Sequence, residues 1–297
     1  MTASRSAPRV DAHHHIWSLG GRPHGWLDEP ALAPIRRDFT LADLAGPAAA
    51  AGVTATVLVQ VLADLDETRE FLALVGGAAA GGAPVAGVVG WADLTSPAVA
   101  DDLAALRAGP GGDRLVGARH LVQGEPDRAW LTRPDVSRGL AAVGAAGLCY
   151  DLLTVAPQLP AAIEAVRAHP EVSFVLDHLS KPPIAAGGLE PWAADLRLLA
   201  AEPNVTAKLS GLVTEAGPGW TVADLRPYAE EALAAFGPDR LMFGSDWPVC
   251  LLAAGYAEVV AAAGELLAEL SPGQRAVVFG GTAARVYDLR IRGSSTA

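Results

Sequence analysis

The chain has 297 residues, 51% of them hydrophobic and 19% charged, with a formal net charge of −11. That length suits two average domains or one barrel of about 250 residues, and the apolar content supports a large core. The acidic balance, with no stripe of Lys or Arg, excludes a nucleic-acid partner, which needs clustered cations along its phosphates.

Read from the start, MTASRSAPR lacks the apolar core of a signal peptide. No apolar run of about 20 residues escapes a charge, Pro or Gly, so no membrane span and a cytoplasmic location are expected. Short β-rich runs predict strands over Arg9–His15, Val53–Gln60, Val85–Trp91, Leu115–His120, Gly147–Leu152, Val172–His178, Val205–Ser210 and Arg240–Asp246. Ala/Leu-rich amphipathic stretches between them predict helices, among them Leu41–Ala51, Glu67–Ala80, Val99–Ala108, Gln158–His169, Pro191–Ala201, Val222–Phe236 and Ala257–Leu270. Leu41, Leu44 and Ala48 have the spacing of a core-facing stripe, as do Leu196, Leu199 and Ala200.

Strands alternating with helices imply parallel βαβ units, and eight repeats predict an α/β fold closed as a single-domain (β/α)8 TIM barrel. An open doubly wound sheet would carry a Gly-rich phosphate loop after its first strand; here that place reads DAHHHIW. No composition break marks a second domain, and Gly109–Asp113 reads as one βα connection. The barrel is expected over residues 9–289, with 1–8 and 290–297 as flexible ends. Cys149 and Cys250 sit in apolar surroundings without a CxxC pair, which excludes a zinc ribbon or redox motif and predicts buried reduced thiols.

A barrel carries its active site at the C-terminal ends of its strands. Polar groups stand at every predicted strand end: His13 and His15, Gln60, Trp91 and Asp93, Arg119 and His120, Asp151, Asp177 and His178, Lys208 and Ser210, and Asp246. Core packing does not require them. In a strand, residues two apart share a face, so His13 and His15 project together and His14 points away. Such a pair can bind a metal, or grip one oxyanion or water. In FGSDWP, a buried strand presents Asp246 at the rim, where it can take a proton from water, ligate a metal, or cap a helix. In FVLDHL, strand alternation allows Asp177 or His178 to face the lumen, not both.

These motifs together resemble the amidohydrolase-2 branch of the amidohydrolase superfamily. Within it the chain is similar to the sugar-lactonase group of fuconolactonases, rhamnonolactonases and pyrone-dicarboxylate lactonases. The carrying segments are VDAHHHIW (10–17), PIRRDF (34–39), VGWADL (89–94), GARH (117–120), LDHLSKPP (176–183), NVTAKLSGL (204–212) and FGPDRLMFGSDWPVC (236–250). The resemblance implies a TIM barrel of the metal-dependent hydrolase type. It maps the first-strand HxH onto His13 and His15, the strand-six His onto His178 and the strand-eight Asp onto Asp246. These four are the expected catalytic residues and the ligands of one divalent metal, Zn2+, if a metal is used; some lactonases of the group work without one. No Lys stands on the fourth or fifth strand, which argues against a binuclear centre.

The expected activity is ester hydrolysis of a small sugar-acid lactone, resembling L-fuconolactone, by water activated by Asp246 and the His cluster. The alternative is a mononuclear metal-dependent decarboxylase of the same superfamily. Arg119 and Lys208 are candidates for the carbonyl or the ring-opened carboxylate, Asp151 for hydrogen bonds, and Trp91, Tyr150 and Trp247 for packing on the sugar ring. The partner is a small lactone. Few cations stand at the strand ends, so a neutral lactone is expected to be preferred over a dicarboxylate, unless Arg36 or Arg37 folds over the pocket. The oligomeric state is open, a homodimer being one option.

Overall fold

The computed structural model describes residues 8–77 and 82–291. The remaining parts of the expected flexible ends, 1–7 and 292–297, and the end of the helix expected over 67–80 lie outside the described residues.

Eight strands form one sheet: β1 (Val10–His14), β2 (Ala55–Val59), β3 (Val85–Gly90), β4 (Leu115–His120), β5 (Cys149–Leu152), β6 (Ser173–Leu176), β7 (Val205–Leu209) and β8 (Leu241–Phe243). Each pairs in parallel with the next, in chain order. The ring closes where His14 bridges Trp247, His15 N–H donates to the Trp247 carbonyl (2.7 Å), and Asp246 N–H donates to the His13 carbonyl (2.9 Å). The chain therefore forms the (β/α)8 barrel that the alternation predicted.

The outer layer is α1 (Leu41–Ala50), α2 (Leu65–Gly76), α3 (Val99–Ala108), α4 (Pro134–Ala145), α5 (Leu159–Ala168), α6 (Trp192–Ala200), α7 (Leu212–Ala216), α8 (Val222–Phe236), α9 (Tyr256–Leu266), α10 (Pro272–Ala276) and α11 (Thr282–Val286). Local chemistry sets their starts. Thr40 caps α1 in a reciprocal box with Asp43, and the buried face is Leu41, Leu44 and Ala48. Asp64 caps α2 through the amides of Asp66 and Glu67. Helix α4 starts on Pro134 and buries Val136, Gly139, Leu140 and Val143. Gly139 is there for contact: a Cβ would lie 2.4 Å from the Leu94 carbonyl oxygen. Gly109–Asp113 joins α3 to β4, so it is a helix-to-strand connection and not the strand-to-helix one expected.

Two apolar layers result. Val57, Cys149, Val175 and Met242 meet in one cluster with Tyr287 and Leu289. Strands so far apart around a ring meet only inside it, so this cluster is the lumen core, plugged by the segment after α11. Tyr150, Phe174, Leu176 and Leu209 belong to the other cluster, between sheet and helices. Both cysteines are buried and free.

Three departures from regular strands shape the site. Val10 and Ala12 pack in the lumen cluster, but the pairing of β1 with β2 shifts register between Asp11 and His14. Beyond that irregularity His13 and His15 face inward, and His14 turns out to Thr56 Oγ1 at 3.0 Å. Strand β6 stops at Leu176, not His178, and the backbone turns left-handed at His178, Leu179, Ser180 and Lys181 (φ 51–59°). Strand β8 stops at Phe243, and Asp246 also has positive φ (57°).

Candidate active site

At the C-terminal mouth, Asp246 Oδ1 lies 3.7 Å from His13 Nε2, 3.6 Å from His15 Nε2 and 3.8 Å from His178 Nε2. All four side chains are buried. Residues separated by more than two hundred positions thus converge on one point. A carboxylate on β1 holds the Asp246 segment there: Asp11 accepts from Ser245 N–H (2.8 Å), Ser245 Oγ–H (2.6 Å) and Tyr256 Oη–H (3.0 Å).

Each imidazole is anchored through its other nitrogen. His15 Nδ1 is 2.9 Å from the Val59 carbonyl oxygen. A carbonyl only accepts, so the proton is on Nδ1 and the Nε2 lone pair faces Asp246. His178 Nδ1 is 2.9 Å from Ser210 Oγ. His13 Nδ1 faces Asp177 Oδ1 at 3.3 Å and Lys208 Nζ at 3.1 Å. With its proton directed to Asp177, Nε2 is free as a ligand. With Lys208 donating to Nδ1, the proton is on Nε2 and bonds His15 Nε2 at 3.1 Å.

Burial lowers the His178 imidazole to about 4 and the His13 imidazole well below its usual value, so both are neutral at pH 7. Burial opposes ionisation of Asp246, but the attraction of His178, a hydrogen bond from His15 and the attraction of His13, each in its protonated form, outweigh it and hold the carboxyl well below the ordinary range. Neutral imidazoles around a carboxylate are the protonation states a metal needs. Ligand atoms of His13, His15 and Asp246 lie within 4.8 Å of one another, a nitrogen-and-oxygen set that fits one Zn2+.

Beneath this cluster, Arg119 (β4) donates to Asp177 Oδ2 (3.0 Å) and to Gln60 Oε1 (2.9 Å), with Nη1 3.4 Å from His13 Nε2. Lys208 (β7) pairs with Asp151 (2.6 Å) and Asp177 (3.0 Å). Tyr287 Oη–H donates to Asp151 at 2.8 Å. Asp177 and His178 both reach the interior, contrary to the alternation expected of a strand. The left-handed backbone at His178 ends that alternation, so consecutive side chains serve one cavity.

Four expected contacts to a sugar do not fit their positions. Lys208 and Asp151 have no exposed surface and are engaged with each other under the imidazoles. Tyr150, next to inward-facing Asp151, points outward and packs edge-on against Phe174 (6.1 Å between centroids). Trp247 is 3% exposed, with its ring against Phe39, so it offers no open face. Trp91 is half-buried; its Nε1–H donates to His120 Nδ1 (3.0 Å), and His120 stacks on Trp130 and reaches Glu125 (2.7 Å). Arg36 pairs with Asp28 and is exposed, and Arg37 lies over the Phe39 ring at 3.8 Å. The sequence reading missed Asp11, Tyr287 and Glu125. Asp11 had a signal in standing two residues before His13; Tyr287, just past the last short helix, had none.

A parallel eight-stranded barrel with a first-strand His pair, a sixth-strand His and an eighth-strand Asp at its mouth defines a barrel hydrolase of the amidohydrolase type. The chain belongs to the amidohydrolase family, which it matches over residues 10–289. It is 42% identical to an L-fucono-1,5-lactonase of Burkholderia multivorans, over 95% of this chain and 97% of that one. An L-fucono-1,5-lactonase of Burkholderia ambifaria is 39% identical, over 94% and 95% of the two chains. A crystal structure of an amidohydrolase from Burkholderia multivorans with bound zinc is similar at a TM-score of 0.87 and 40% identity, covering 95% of this chain and all of that one.

Proposed function

We propose that this protein hydrolyses the cyclic ester of a neutral sugar-acid lactone, of the L-fuconolactone kind. The observation that carries the reading is Asp246, a buried carboxylate facing three imidazoles at the barrel mouth, in a chain so similar to two L-fucono-1,5-lactonases. Asp246 takes a proton from water, and the resulting hydroxide attacks the lactone carbonyl. His178 orients the carbonyl oxygen, and Arg119, at the floor of the cluster, stabilises the charge that develops on it. The C–O bond to the ring oxygen then breaks, and the proton held by Asp246 passes to that oxygen, releasing the open hydroxy acid. Trp91, half-buried at the end of β3, supplies a flat apolar surface for the sugar. His13, His15 and Asp246, with His178, would hold one Zn2+, which lowers the pKa of water and polarises a carbonyl when bound.

The charges near the site favour a neutral substrate. Arg119 is engaged with Asp177 and Gln60, Lys208 with Asp151 and Asp177, and Lys181 with Glu215 at 3.8 Å. Arg36 and Arg37 have partners elsewhere. None of these cations waits unpaired for a second carboxylate.

The test is a pH-indicator screen of 1,4- and 1,5-sugar lactones, with and without chelator. Proton release from L-fucono-1,5-lactone and its relatives is the expected result. Silence on every lactone, with CO2 released from an aromatic acid, would move the chain to decarboxylation.

A further inference from the structure

The GARH segment (117–120) carries a side chain that the proposed reaction does not use. Arg119 lies under the imidazole cluster, and His120, one residue on, stands at the end of β4. His120 Nε2 is 2.7 Å from Glu125 Oε1, and its Nδ1 accepts from Trp91 Nε1–H at 3.0 Å. An indole N–H only donates, so Nδ1 holds the lone pair and the proton on Nε2 is directed at Glu125. The donors thus run one way, from Trp91 through His120 to the carboxylate. The imidazole lies flat on buried Trp130, with centroids 4.3 Å apart and planes 9° from parallel, which restricts its rotation.

Trp91 is held at its backbone as well. Thr68 on α2, with no exposed surface, accepts from the Trp91 N–H (2.8 Å) and donates to the Trp91 carbonyl (3.1 Å). Val89, two residues earlier, lies in the lumen cluster, and strand alternation turns Trp91 to the same side. Val89 pairs with Gly117 and Gly90 with Ala118, so Trp91 stands level with Arg119, about 5 Å away between backbones. Arg119 Nη1 is in turn 3.4 Å from His13 Nε2. The indole is therefore a wall of the barrel mouth, fixed at its backbone and at its ring nitrogen. His120 and Glu125 keep 14% and 27% of their side-chain surface exposed, so water could serve both, and burial alone does not require their pairing.

We infer that His120 and Glu125 are positioning residues that fix the Trp91 ring for lactone binding. The inference rests on the reading that Trp91 packs on the sugar. A ring set before the substrate arrives has little rotamer freedom left to lose, and this helps substrate and transition state alike. Its loss raises KM and leaves kcat, which separates it from the loss of a group that touches the reacting carbonyl.

The test is steady-state kinetics on L-fucono-1,5-lactone. Glu125→Ala removes the carboxylate, and His120→Phe keeps a ring on Trp130 but takes away the acceptor. Both are expected to raise KM by about tenfold, with kcat within about threefold of wild type. Glu125→Gln still offers an oxygen to the Nε2–H and is expected to keep KM within about twofold. In a Trp91→Phe background, where the indole N–H is gone, Glu125→Ala is expected to add nothing further to KM. Wild-type KM in Glu125→Ala, or a rise in KM that persists in full on Trp91→Phe, overturns the inference and leaves the lactonase reading intact. A fall in kcat as large as the rise in KM also overturns it, since His120 would then act on the reacting atoms. Trp91→Ala with wild-type KM removes the sugar wall and the inference together. A wild type that opens no lactone sinks the proposed function and this inference with it. If His120→Phe does not fold, Glu125→Ala and Glu125→Gln, at a partly exposed position, decide alone.

Discussion

Gly211 lies against the imidazole of His178: a Cβ on Gly211 would be 2.8 Å from His178 Nδ1 and 2.9 Å from Cγ. The residue also has φ of +69°, where a side chain is strained. Gly211→Ala therefore displaces the ring from Ser210 and from Asp246 together. The expected result is a loss of about 1–3 kcal/mol in urea unfolding and at least about tenfold in kcat/KM. Unchanged kinetics with lowered stability would show that His178 does not act on the substrate.

Asp246→Asn keeps shape and removes the proton acceptor. Turnover should fall by about 100-fold to 10,000-fold, with the melting temperature shifted by only a few degrees. Near-wild-type kcat in the Asn variant rules out Asp246 as the base.

Metal removal gives an independent reading of the same cluster. Dialysis against chelator should lower both activity and thermal stability, because an ion bound only by the folded chain stabilises it by mass action. Zinc added back should restore both, and His15→Ala should abolish the zinc-dependent gain in stability. Full activity after exhaustive chelation would leave the chemistry to Asp246 and the imidazoles alone.

Glu67, at the start of α2, is 4% exposed and accepts from the amides of Val61 (2.8 Å) and Leu62 (3.0 Å). Burial outweighs those bonds and pushes its carboxyl from 4.5 up to about 7. Between those two values the folded chain keeps a proton that the unfolded chain has lost, so this group makes stability fall as pH rises through the window. Glu67→Gln removes the effect. Its stability relative to wild type should grow by up to about 3 kcal/mol from pH 4.5 to pH 7, then level off. Urea unfolding of both proteins at several pH values checks this, and a flat difference contradicts it.

Substrate charge can be tested side by side. L-Fucono-1,5-lactone should exceed 2-pyrone-4,6-dicarboxylate in kcat/KM by at least about 100-fold, since each extra carboxylate would be buried without a free cation. Preference for the dicarboxylate would mean that one of the paired arginines leaves its partner on binding.

The periodic part of this structure was legible in the sequence, and so were the metal-capable residues. Strand and helix alternation, repeated eight times, fixed the barrel. His13 and His15, two apart, fixed the face they share. The irregular part was not legible. Nothing in FVLDHLSKPP announces four consecutive left-handed residues, yet they bring Asp177 and His178 to the same cavity. Lys208 and Asp151 carry charge, and charge at a strand end reads as substrate contact. Only the three-dimensional pairing shows that they satisfy each other in the floor. Tyr150 and Trp247 were misplaced for a related reason, because a ring beside a site residue in sequence points to the opposite side of the sheet or into the packing around Phe39.

The plug behind the lumen has a consequence for how the protein comes to exist. Tyr287 reaches Asp151 in the floor, and Trp247 seals the ring against His14 and His15. The first-made strand carries the His pair, but its lysine partner, its carboxylate neighbour and its floor are all translated later. During synthesis the His pair is present early and must wait, unpaired and open to stray metal, until nearly the whole chain has emerged. A ribosome-bound chain stopped before residue 287 should therefore carry a sheet without a finished cavity, and the enzyme should become active as a whole, not in parts.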